Sequence, residues 1–325
     1  MNELVTSSAR DFLAKFVANN RPGLFYYKAD PGLRRGIKVR ENGDAIDVKR
    51  IVDRKLIRIG RNNAVYLIDL INSFDYFFGS AVPVRIRTVD GAYDMVDFST
   101  PRLHQISGFD DFPVLCPSLT EPFPTTAQYL DFAALEPGDT VIDLGSYSAL
   151  TSIAFSKAVG PEGTVLALEP DPLNFAAAEV NVAANRRFNG LDNIVLYPAA
   201  VSAHAGVLQL SSEGAMGSAL TSIVGSYRGE TVDVPCETLQ GLANRFGLLK
   251  VDFIKMDIEG SELSVILESG AFLNHYRPRM IIEPHVIGGK LTTEPITAFL
   301  TSLGYRCAVI EQCGLALPLI TADPG

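Results

Sequence analysis

Apolar and polar positions in residues 121–325 alternate between two kinds of segment. Short apolar runs that end in a polar residue are separated by stretches of helical periodicity, an order typical of a parallel sheet with helices on both faces. The first run, Val141–Leu144, passes through Gly145 into a helical pattern at Leu150–Phe155, which predicts a strand, a tight turn and a helix. Further strands are predicted at 164–169, 193–198, 251–257 and 279–285, with a final antiparallel pair at 305–310 and 316–320.

Local signals set several boundaries within this larger domain. Pro172 stands near the first position of an alanine-rich helix predicted at 172–185, where proline is well tolerated. Gly270 is predicted to end a helix at 261–269, because glycine adopts the left-handed conformation that closes many helices. Residues 199–241 are predicted to be an insertion with short β segments.

The pattern in residues 1–120 is different. Val84–Val89 alternates apolar with polar positions, Asp90 and Gly91 supply a turn, and Tyr93–Phe98 alternates back, which predicts a β-hairpin. We therefore predict a smaller α+β region at 1–120, which covers the site, contacts substrate or forms a dimer, and an α/β domain at 121–325. The smaller region also holds apolar segments at 64–71 and 74–78, and a linker rich in Pro and Asp is predicted at 108–124.

Composition narrows the class of protein. With 325 residues, 47% of them hydrophobic and 20% charged, the chain can bury a sizeable core. It shows no apolar run of membrane-spanning length and no leader pattern, so a cytoplasmic protein without a membrane partner is expected. Its four cysteines have no metal-binding spacing, and reduced, packed thiols are expected.

Charge is distributed unevenly along the chain. Residues 1–61 contain 14 of the 28 Lys and Arg but only 7 of the 37 Asp and Glu. A basic segment of this kind meets either an anionic partner or the acidic body of the same protein. Because no nucleic-acid motif accompanies it, no nucleic-acid partner is predicted, and a solvated surface is the favoured interpretation. A homo-oligomer, formed through a dimer contact of this region, is one of the open alternatives.

The turn after the first predicted strand indicates a cofactor. Asp143 and Gly145 are present, but the further glycines of a dinucleotide fingerprint are missing, which disfavours a pyrophosphate site and a nucleotide-linked oxidoreductase. Glu169 ends the second strand, where an acid can accept hydrogen bonds from two ribose hydroxyls. S-adenosylmethionine fits these features, since it needs one glycine for close approach and one acid for its ribose.

Polar groups also end the later strands. Lys255 and Asp257 alternate with apolar positions in a strand expected to be central, and Glu283 and His285 close the next one. Carboxyl ends of parallel strands face one crevice, so five side chains are expected to converge there: Asp143, Glu169, Asp257, Glu283 and His285. Taken singly, each has a structural alternative: Asp257 could cap a helix, Glu283 could pair with an Arg, and His285 could be a satisfied loop histidine.

Four stretches together carry a family resemblance. Residues 141–145, Glu169–Pro170, the run Ile254-Lys-Met-Asp-Ile-Glu-Gly-Ser-Glu262 and Ile281-Ile-Glu-Pro-His285 resemble the FkbM-type S-adenosylmethionine-dependent methyltransferases. The resemblance implies a class I methyltransferase fold, a Rossmann-like seven-stranded, mostly parallel sheet with an antiparallel last strand. It also implies O-methylation of a hydroxyl on a sugar, polyketide or related small metabolite.

The resemblance also implies residue roles. Gly145, Ser146 and Tyr147 would face the methionine part of the cofactor, Glu169 the ribose, and Ala200 the adenine. Asp257 would lie beside the transferred methyl group. Asp143 and Pro170, which flank these positions, complete the predicted cofactor-binding set.

The first turn departs from the family pattern. Ser146, Tyr147 and Ala149 stand where Ala, Asn and Gly are usual, and Tyr147 is bulky enough to reshape the pocket or partly fill it. The alternative function is therefore a catalytically inactive scaffold or binding protein with the same fold.

Three residues are predicted to act on the acceptor. His285 is the first candidate for the base that accepts the hydroxyl proton, and Asp257, with Glu283 nearby, is the second or else orients the hydroxyl. Carboxylate and imidazole together suit several metal ions, but no spacing requires one, so no metal ligand is assigned.

Overall fold

The structure is a computed structural model that describes residues 36–224, 230–315 and 317–325. The predicted smaller region is thus described from residue 36 onward, and most of the basic segment, residues 1–35, lies outside the described residues. Five strands form the sheet of this region: β1 (Ile37–Asn42), β2 (Ala45–Arg50), β3 (Lys55–Gly60), β4 (Val84–Thr88) and β5 (Gly91–Phe98).

The sheet of the N-terminal region is mixed. Its order is β1-β2-β3-β5-β4, and only β3 and β5 pair in parallel. In the β4–β5 pair Thr88 lies opposite Gly91, so the predicted hairpin is confirmed. The apolar segments that precede it form a 3-10 helix at Arg61–Tyr66 followed by α1 (Leu67–Asn72) and α2 (Phe74–Phe78), whose buried side chains pack in the same core as the sheet.

The segment predicted to be a linker is largely packed. β6 (Arg102–His104) pairs with β7 (Val114–Cys116), and Phe109 and Phe112 lie buried in the N-terminal core. The prediction was wrong because aromatic residues alternate with the Pro and Asp residues of this stretch. α3 (Phe123–Ala133) begins directly afterwards.

The larger domain carries the remaining strands and helices. Its strands are β8 (Thr140–Leu144), β9 (Thr164–Leu168), β10 (Ile194–Tyr197), β11 (Ala200–Val201), β12 (Gly206–Ser212), β13 (Ala219–Leu220), β14 (Glu230–Glu237), β15 (Phe253–Met256), β16 (Arg279–Ile282), β17 (Val286–Ile287), β18 (Lys290–Leu291), β19 (Arg306–Glu311) and β20 (Pro318–Asp323). Its helices are α4 (Leu150–Val159), α5 (Pro172–Asn189), α6 (Thr221–Val224), α7 (Leu239–Phe246), α8 (Glu262–Glu268), α9 (Gly270–Tyr276) and α10 (Thr293–Ser302).

The central sheet has seven strands in the order β10-β9-β8-β15-β16-β20-β19. β20 runs antiparallel to both of its neighbours, and the other pairs are parallel. This is the predicted class I methyltransferase sheet with its antiparallel last strand, and the prediction is confirmed. The strand order reverses between β8 and β15, which places a crevice at the carboxyl ends of these strands.

Two local predictions differ in outcome. The insertion forms a four-stranded sheet, β11-β14-β12-β13, beside the main one. Gly270, however, does not close a helix, because α8 ends at Glu268 and Gly270 begins α9. The prediction was wrong because Gly270 lacks the positive φ of a left-handed helix end and starts the next helix instead, where an added Cβ would make only ordinary contact with the ring of Phe299, at 3.5 Å.

The two regions share one hydrophobic core. Leu150 and Ile153 of α4 belong to the same buried cluster as Phe74, Phe77 and Phe98 of the N-terminal region. The beginning of α4, which follows the first turn, therefore packs on the N-terminal region. Among the described helices, none is long and apolar enough to cross a lipid bilayer.

Candidate active site

A cavity of about 350 Å³ opens at the carboxyl ends of β8, β9, β15 and β16. Nine of the ten predicted site residues line it, and Asp143 does not. The N-terminal region supplies part of the wall through Tyr66 and Phe77. The nine lining residues are Gly145, Ser146, Tyr147, Glu169, Pro170, Ala200, Asp257, Glu283 and His285.

Gly145 brings two strand ends together. Its φ is 77°, and a Cβ at this position would lie 1.8 Å from the carbonyl oxygen of Asp257. The backbone N–H groups of Gly145 and Ser146 both donate to the carbonyl of Leu168, at 3.1 and 2.9 Å. The turn is thus held against β9 on one side and β15 on the other, and only glycine fits between them.

Tyr147 adopts a left-handed conformation and is anchored at both ends. Its backbone N–H donates to Glu169 Oε2 at 2.8 Å, and its hydroxyl donates to the carbonyl of Leu119 at 2.9 Å. The same hydroxyl accepts from the backbone N–H of Ser118 at 3.1 Å. The side chain therefore reaches the segment before α3 and forms a wall of the cavity, which stays open beside it.

Glu169 is held by donors from the protein. Oε1 accepts from the backbone N–H of Asp171 at 2.9 Å and lies 3.4 Å from Asn174 Nδ2, while Oε2 accepts from Tyr147. Burial raises the pKa of Glu169 to about 8, although these N–H donors act in the opposite direction. The carboxylate is fixed in position at the cavity wall, with acceptor capacity left for a ligand.

Asp143 lies beneath the turn. Its Oδ2 accepts from the hydroxyls of Thr151 and Ser152, at 2.7 and 2.6 Å, and the residue is fully buried. These bonds join the end of β8 to the first turn of α4. The structure therefore separates Asp143 from the other predicted cofactor-binding residues.

Lys255 is a buried cation with its own set of partners. Nζ donates to the carbonyl of Gly145 at 2.7 Å and lies 3.6 Å from Asp257 Oδ2 and 3.8 Å from Asp143 Oδ1. Burial lowers the pKa of Lys255, but the carboxylates of Asp257 and Asp143 outweigh it, and the pKa is raised. The buried ammonium group thus joins the carbonyl of Gly145 in the first turn to two carboxylates.

His285 stands among acidic groups. Nδ1 lies 3.1 Å from Glu262 Oε1, and Nε2 lies 3.9 Å from Asp257 Oδ1, 3.8 Å from Glu259 Oε2 and 4.0 Å from Glu283 Oε1. Burial lowers the pKa of His285, but the carboxylates of Glu262 and Glu259 raise it well above its usual range. The three residues predicted to act on the acceptor are thus brought into one cluster.

Each carboxylate of the cluster has a neighbour that orients it. Glu283 Oε2 accepts from Gln312 Nε2 at 2.9 Å, and burial, together with the charges of Asp257 and Glu121, raises the pKa of Glu283 well above its usual range. Glu262 is fully buried and accepts from the backbone N–H groups of Ile258 and Gly260. Asp257 does not cap a helix, and Glu283 pairs with Gln312.

Several lining residues have no signal in the sequence pattern. Glu121 precedes α3, and burial together with the charge of Asp257 raises its pKa to about 7. Tyr129 of α3 is 1% exposed, and its hydroxyl has no hydrogen-bond partner. Gln312 follows β19 and does not line the cavity, but it donates to Glu283 Oε2, which does. These residues come from segments distant in sequence, whereas Glu262 stands inside the distinctive Lys-x-Asp-x-Glu-Gly-x-Glu run and was open to prediction.

Comparison with protein families gives a match over half of the chain. The model described as the methyltransferase FkbM domain matches residues 142–307, which include the first turn, the Lys255–Glu262 run and His285. Among curated proteins, the arsenite methyltransferase of Halobacterium salinarum is 41% identical over 54 residues, which is 17% of this chain and 14% of the relative.

Solved structures show distant likeness. An FkbM methyltransferase from Methylobacillus flagellatus is 15% identical, with a TM-score of 0.41, over 58% of this chain and 47% of that one. The S-adenosylmethionine-dependent O-methyltransferase of Thermotoga maritima is 13% identical, with a TM-score of 0.40, over 74% and 86% of the two chains. This chain thus spans about half of the FkbM structure and a small part of the curated relative.

Proposed function

Because the chain belongs to the FkbM methyltransferase family, whose cofactor is S-adenosylmethionine, we propose that it transfers the methyl group of that cofactor to a hydroxyl oxygen of a small metabolite of the sugar or polyketide type. One observation carries the proposal: Glu169 and the group of Asp257, Glu283 and His285 line the same cavity. Glu169 follows β9 and Asp257 follows β15, with β8 between them, so they stand about 10 Å apart across the sheet.

The residues present fit the cofactor. The cavity of about 350 Å³ is large enough for a ligand of this size, since small-molecule sites measure about 300 to 1,000 Å³. Glu169 is fixed for two ribose hydroxyls, and the turn at Gly145 keeps the backbone close beside it. The acidic side chains at the end of β15 attract a positively charged sulfur.

Bound S-adenosylmethionine supplies an electrophilic methyl group on a sulfonium, and the C–S electron pair remains on sulfur when the new C–O bond forms. The chain has to hold the acceptor oxygen in line with the methyl carbon and receive the hydroxyl proton. We assign these tasks to lone pairs of Asp257, Glu283 and His285. Nε2 of His285 is the first acceptor to test, because Glu262 orients the ring through Nδ1. Since the neighbouring carboxylates hold the pKa of His285 well above its usual range, this role belongs to the neutral ring, and turnover should rise with pH.

The N-terminal region has a part in this proposal. Tyr66 and Phe77 of this region, with Glu121 at the start of the larger domain, line the cavity from outside the family-matched residues. We propose that they form the wall that selects the acceptor, while the strand ends hold the cofactor. Acceptor preference would then depend on the N-terminal region.

Calorimetry and a labelled-methyl assay test the proposal. The full chain is expected to bind S-adenosylmethionine and S-adenosylhomocysteine, and to transfer label to at least one member of a panel of sugar and polyketide alcohols. Glu169→Ala, which removes the ribose acceptor, should weaken binding of both ligands. A wild-type chain that binds neither ligand would contradict the proposal and favour an inactive scaffold.

A further inference from the structure

We propose that Asp257, Glu283 and His285 form a binding site for one divalent first-row metal ion, which holds the acceptor hydroxyl. The role of the ion in methyl transfer rests on the proposed function. The binding of the ion does not, because it depends only on the three side chains. The sequence analysis assigned no metal ligand, whereas the geometry of these three side chains favours one.

The three ligand atoms surround a common point. His285 Nε2 lies 3.9 Å from Asp257 Oδ1 and 4.0 Å from Glu283 Oε1, and all three residues offer ligand atoms within 4.8 Å of one another. A point equidistant from atoms so spaced lies about 2.3 to 2.5 Å from each, a few tenths of an ångström beyond the usual bonds of about 2.0 to 2.2 Å to nitrogen and oxygen. Small side-chain movements would close that difference.

Each ligand is held by its other polar atom. Nδ1 of His285 contacts Glu262, Oε2 of Glu283 accepts from Gln312, and Oδ2 of Asp257 faces Lys255 at 3.6 Å. The second atom of each group, namely Nε2, Oε1 and Oδ1, is left to face the common point. Metal-binding histidines are held in this way by a carboxylate on the opposite nitrogen.

Tyr129 provides an independent indication of a ligand. Its hydroxyl is buried without a hydrogen-bond partner, lines the same cavity, and is acted on by the charges of Glu121, Glu283 and Asp257. A buried hydroxyl is costly unless it is hydrogen-bonded. An oxygen bound to an ion beside Glu283 and Asp257 would give this hydroxyl its partner.

The balance of charge favours a cation here. Carboxylate oxygens of Asp257, Glu259, Glu262 and Glu283 all lie within 4.0 Å of the ring nitrogens of His285. Within the described part of the chain, these four acids and Glu121, a fifth carboxylate in the cavity, face only two cationic groups, the His285 ring and the Lys255 ammonium 3.6 Å from Asp257. Two carboxylates with one imidazole suit Mn²⁺, Fe²⁺, Co²⁺ or Zn²⁺.

The site also defines a substrate class. Three protein ligands leave neighbouring coordination positions open for two oxygens. The acceptor would therefore carry its hydroxyl next to a second oxygen, as in a vicinal diol or a hydroxyl beside a carbonyl. The ion would polarise the O–H bond. With the ion bound, Nε2 of His285 is a ligand and no longer the proton acceptor named for the ion-free site, so the proton would pass to Glu121, which lines the same cavity outside the ligand set.

Metal titration of the full chain tests the site without any cofactor or acceptor. After chelator treatment, Mn²⁺ is added and the free ion is counted by electron paramagnetic resonance, while Co²⁺ is followed by visible absorption. One tight Mn²⁺ per chain is expected. His285→Ala and Glu283→Gln should each weaken it at least tenfold, and Glu262→Gln by about 10- to 100-fold through the orientation of His285. His275→Ala, an exposed histidine on α9, is the matched control and should bind as the wild type does.

The outcomes separate this site from the proposed function. Mn²⁺ binding only at millimolar concentration, or unchanged by His285→Ala in a chain whose circular dichroism is native, would overturn the metal site. Methyl transfer that is undiminished in chelator would overturn the role of the ion in holding the acceptor, yet leave the proposed function standing. Tight Mn²⁺ binding in a chain that transfers no methyl group would support the site and contradict the proposed function instead.

Discussion

The two ends of the cavity are built in different ways. Where the cofactor is proposed to bind, backbone groups make the main contacts. Gly145 packs closely against the Asp257 carbonyl, and backbone N–H groups fix the carboxylate of Glu169. Where the acceptor is proposed to bind, charged side chains face one another across about 4 Å. A substitution that adds atoms disturbs closely packed backbone, whereas a substitution that removes a charged or polar group disturbs a charge cluster. The first end should therefore respond to added atoms and the second to lost functional groups.

The largest effect is expected from His285→Ala. Removal of the ring deletes a lone pair at the acceptor end and leaves the backbone of the cofactor end unchanged, so kcat should fall about 10²- to 10⁴-fold. The dissociation constant of S-adenosylmethionine, measured by calorimetry, should change less than about threefold. His275→Ala is the control. Equal losses in turnover and in cofactor affinity would show that the two ends do not act separately.

Gly145→Ala should produce the next largest effect, and it tests the link between the ends. The added methyl group would overlap the Asp257 carbonyl, so the backbone must move and the free energy of unfolding should fall by about 3 kcal/mol. Urea denaturation measures this change. Gly190→Ala is the matched control, with a φ of 68° but open space around the site, and should cost only about 1 kcal/mol. Equal costs would mean that conformation matters at Gly145 and close contact does not.

Two tyrosine hydroxyls offer a smaller and sharper contrast. Tyr147→Phe would leave the Leu119 carbonyl and the Ser118 N–H without their partner, and should destabilise the chain by about 1 to 2 kcal/mol. Tyr129→Phe removes a hydroxyl that has no partner and should leave the free energy of unfolding unchanged or slightly raise it, while the KM for the acceptor increases. Thermal denaturation and acceptor titration measure both variants. Destabilisation by Tyr129→Phe comparable to that by Tyr147→Phe would contradict this contrast.

The smallest effect concerns pH at the cofactor end. Burial raises the pKa of Glu169 to about 8, so the ionised form, which accepts from ribose hydroxyls, gains population as pH rises. Cofactor affinity should therefore increase by up to about tenfold between pH 7 and 9. An α-amino group of the ligand titrates at about pH 8 as well, so Glu169→Gln is needed as the control. If the variant keeps the full pH dependence, the ligand alone causes it.

The sequence predicted the sheet well, because each of its strands is a short apolar run with a polar end. The antiparallel last strand and the hairpin at Asp90 and Gly91 followed from the same local signals. Glu121, Tyr129 and Gln312 were not predictable in this way. They reach the site through tertiary packing of α3 and the end of β19, and nothing near them in the sequence marks a ligand.

Three residues differ from what local rules predict. Gly270 has the residue type of a helix end, yet it begins α9. Asp143 ends a strand as the predicted site residues do, but it turns towards Thr151 and Ser152 beneath the cavity. Tyr147 seemed large enough to fill the pocket, but its hydroxyl finds partners at Ser118 and Leu119.

The shared core has a practical consequence for dissecting this molecule. A shortened chain that starts at residue 121 would keep the family-matched residues but expose Leu150 and Ile153 to water. It would also strip the Tyr147 hydroxyl of both anchors. Such a fragment would tend to aggregate, and exchanging N-terminal regions between relatives would require the surface of α4 to be exchanged with them.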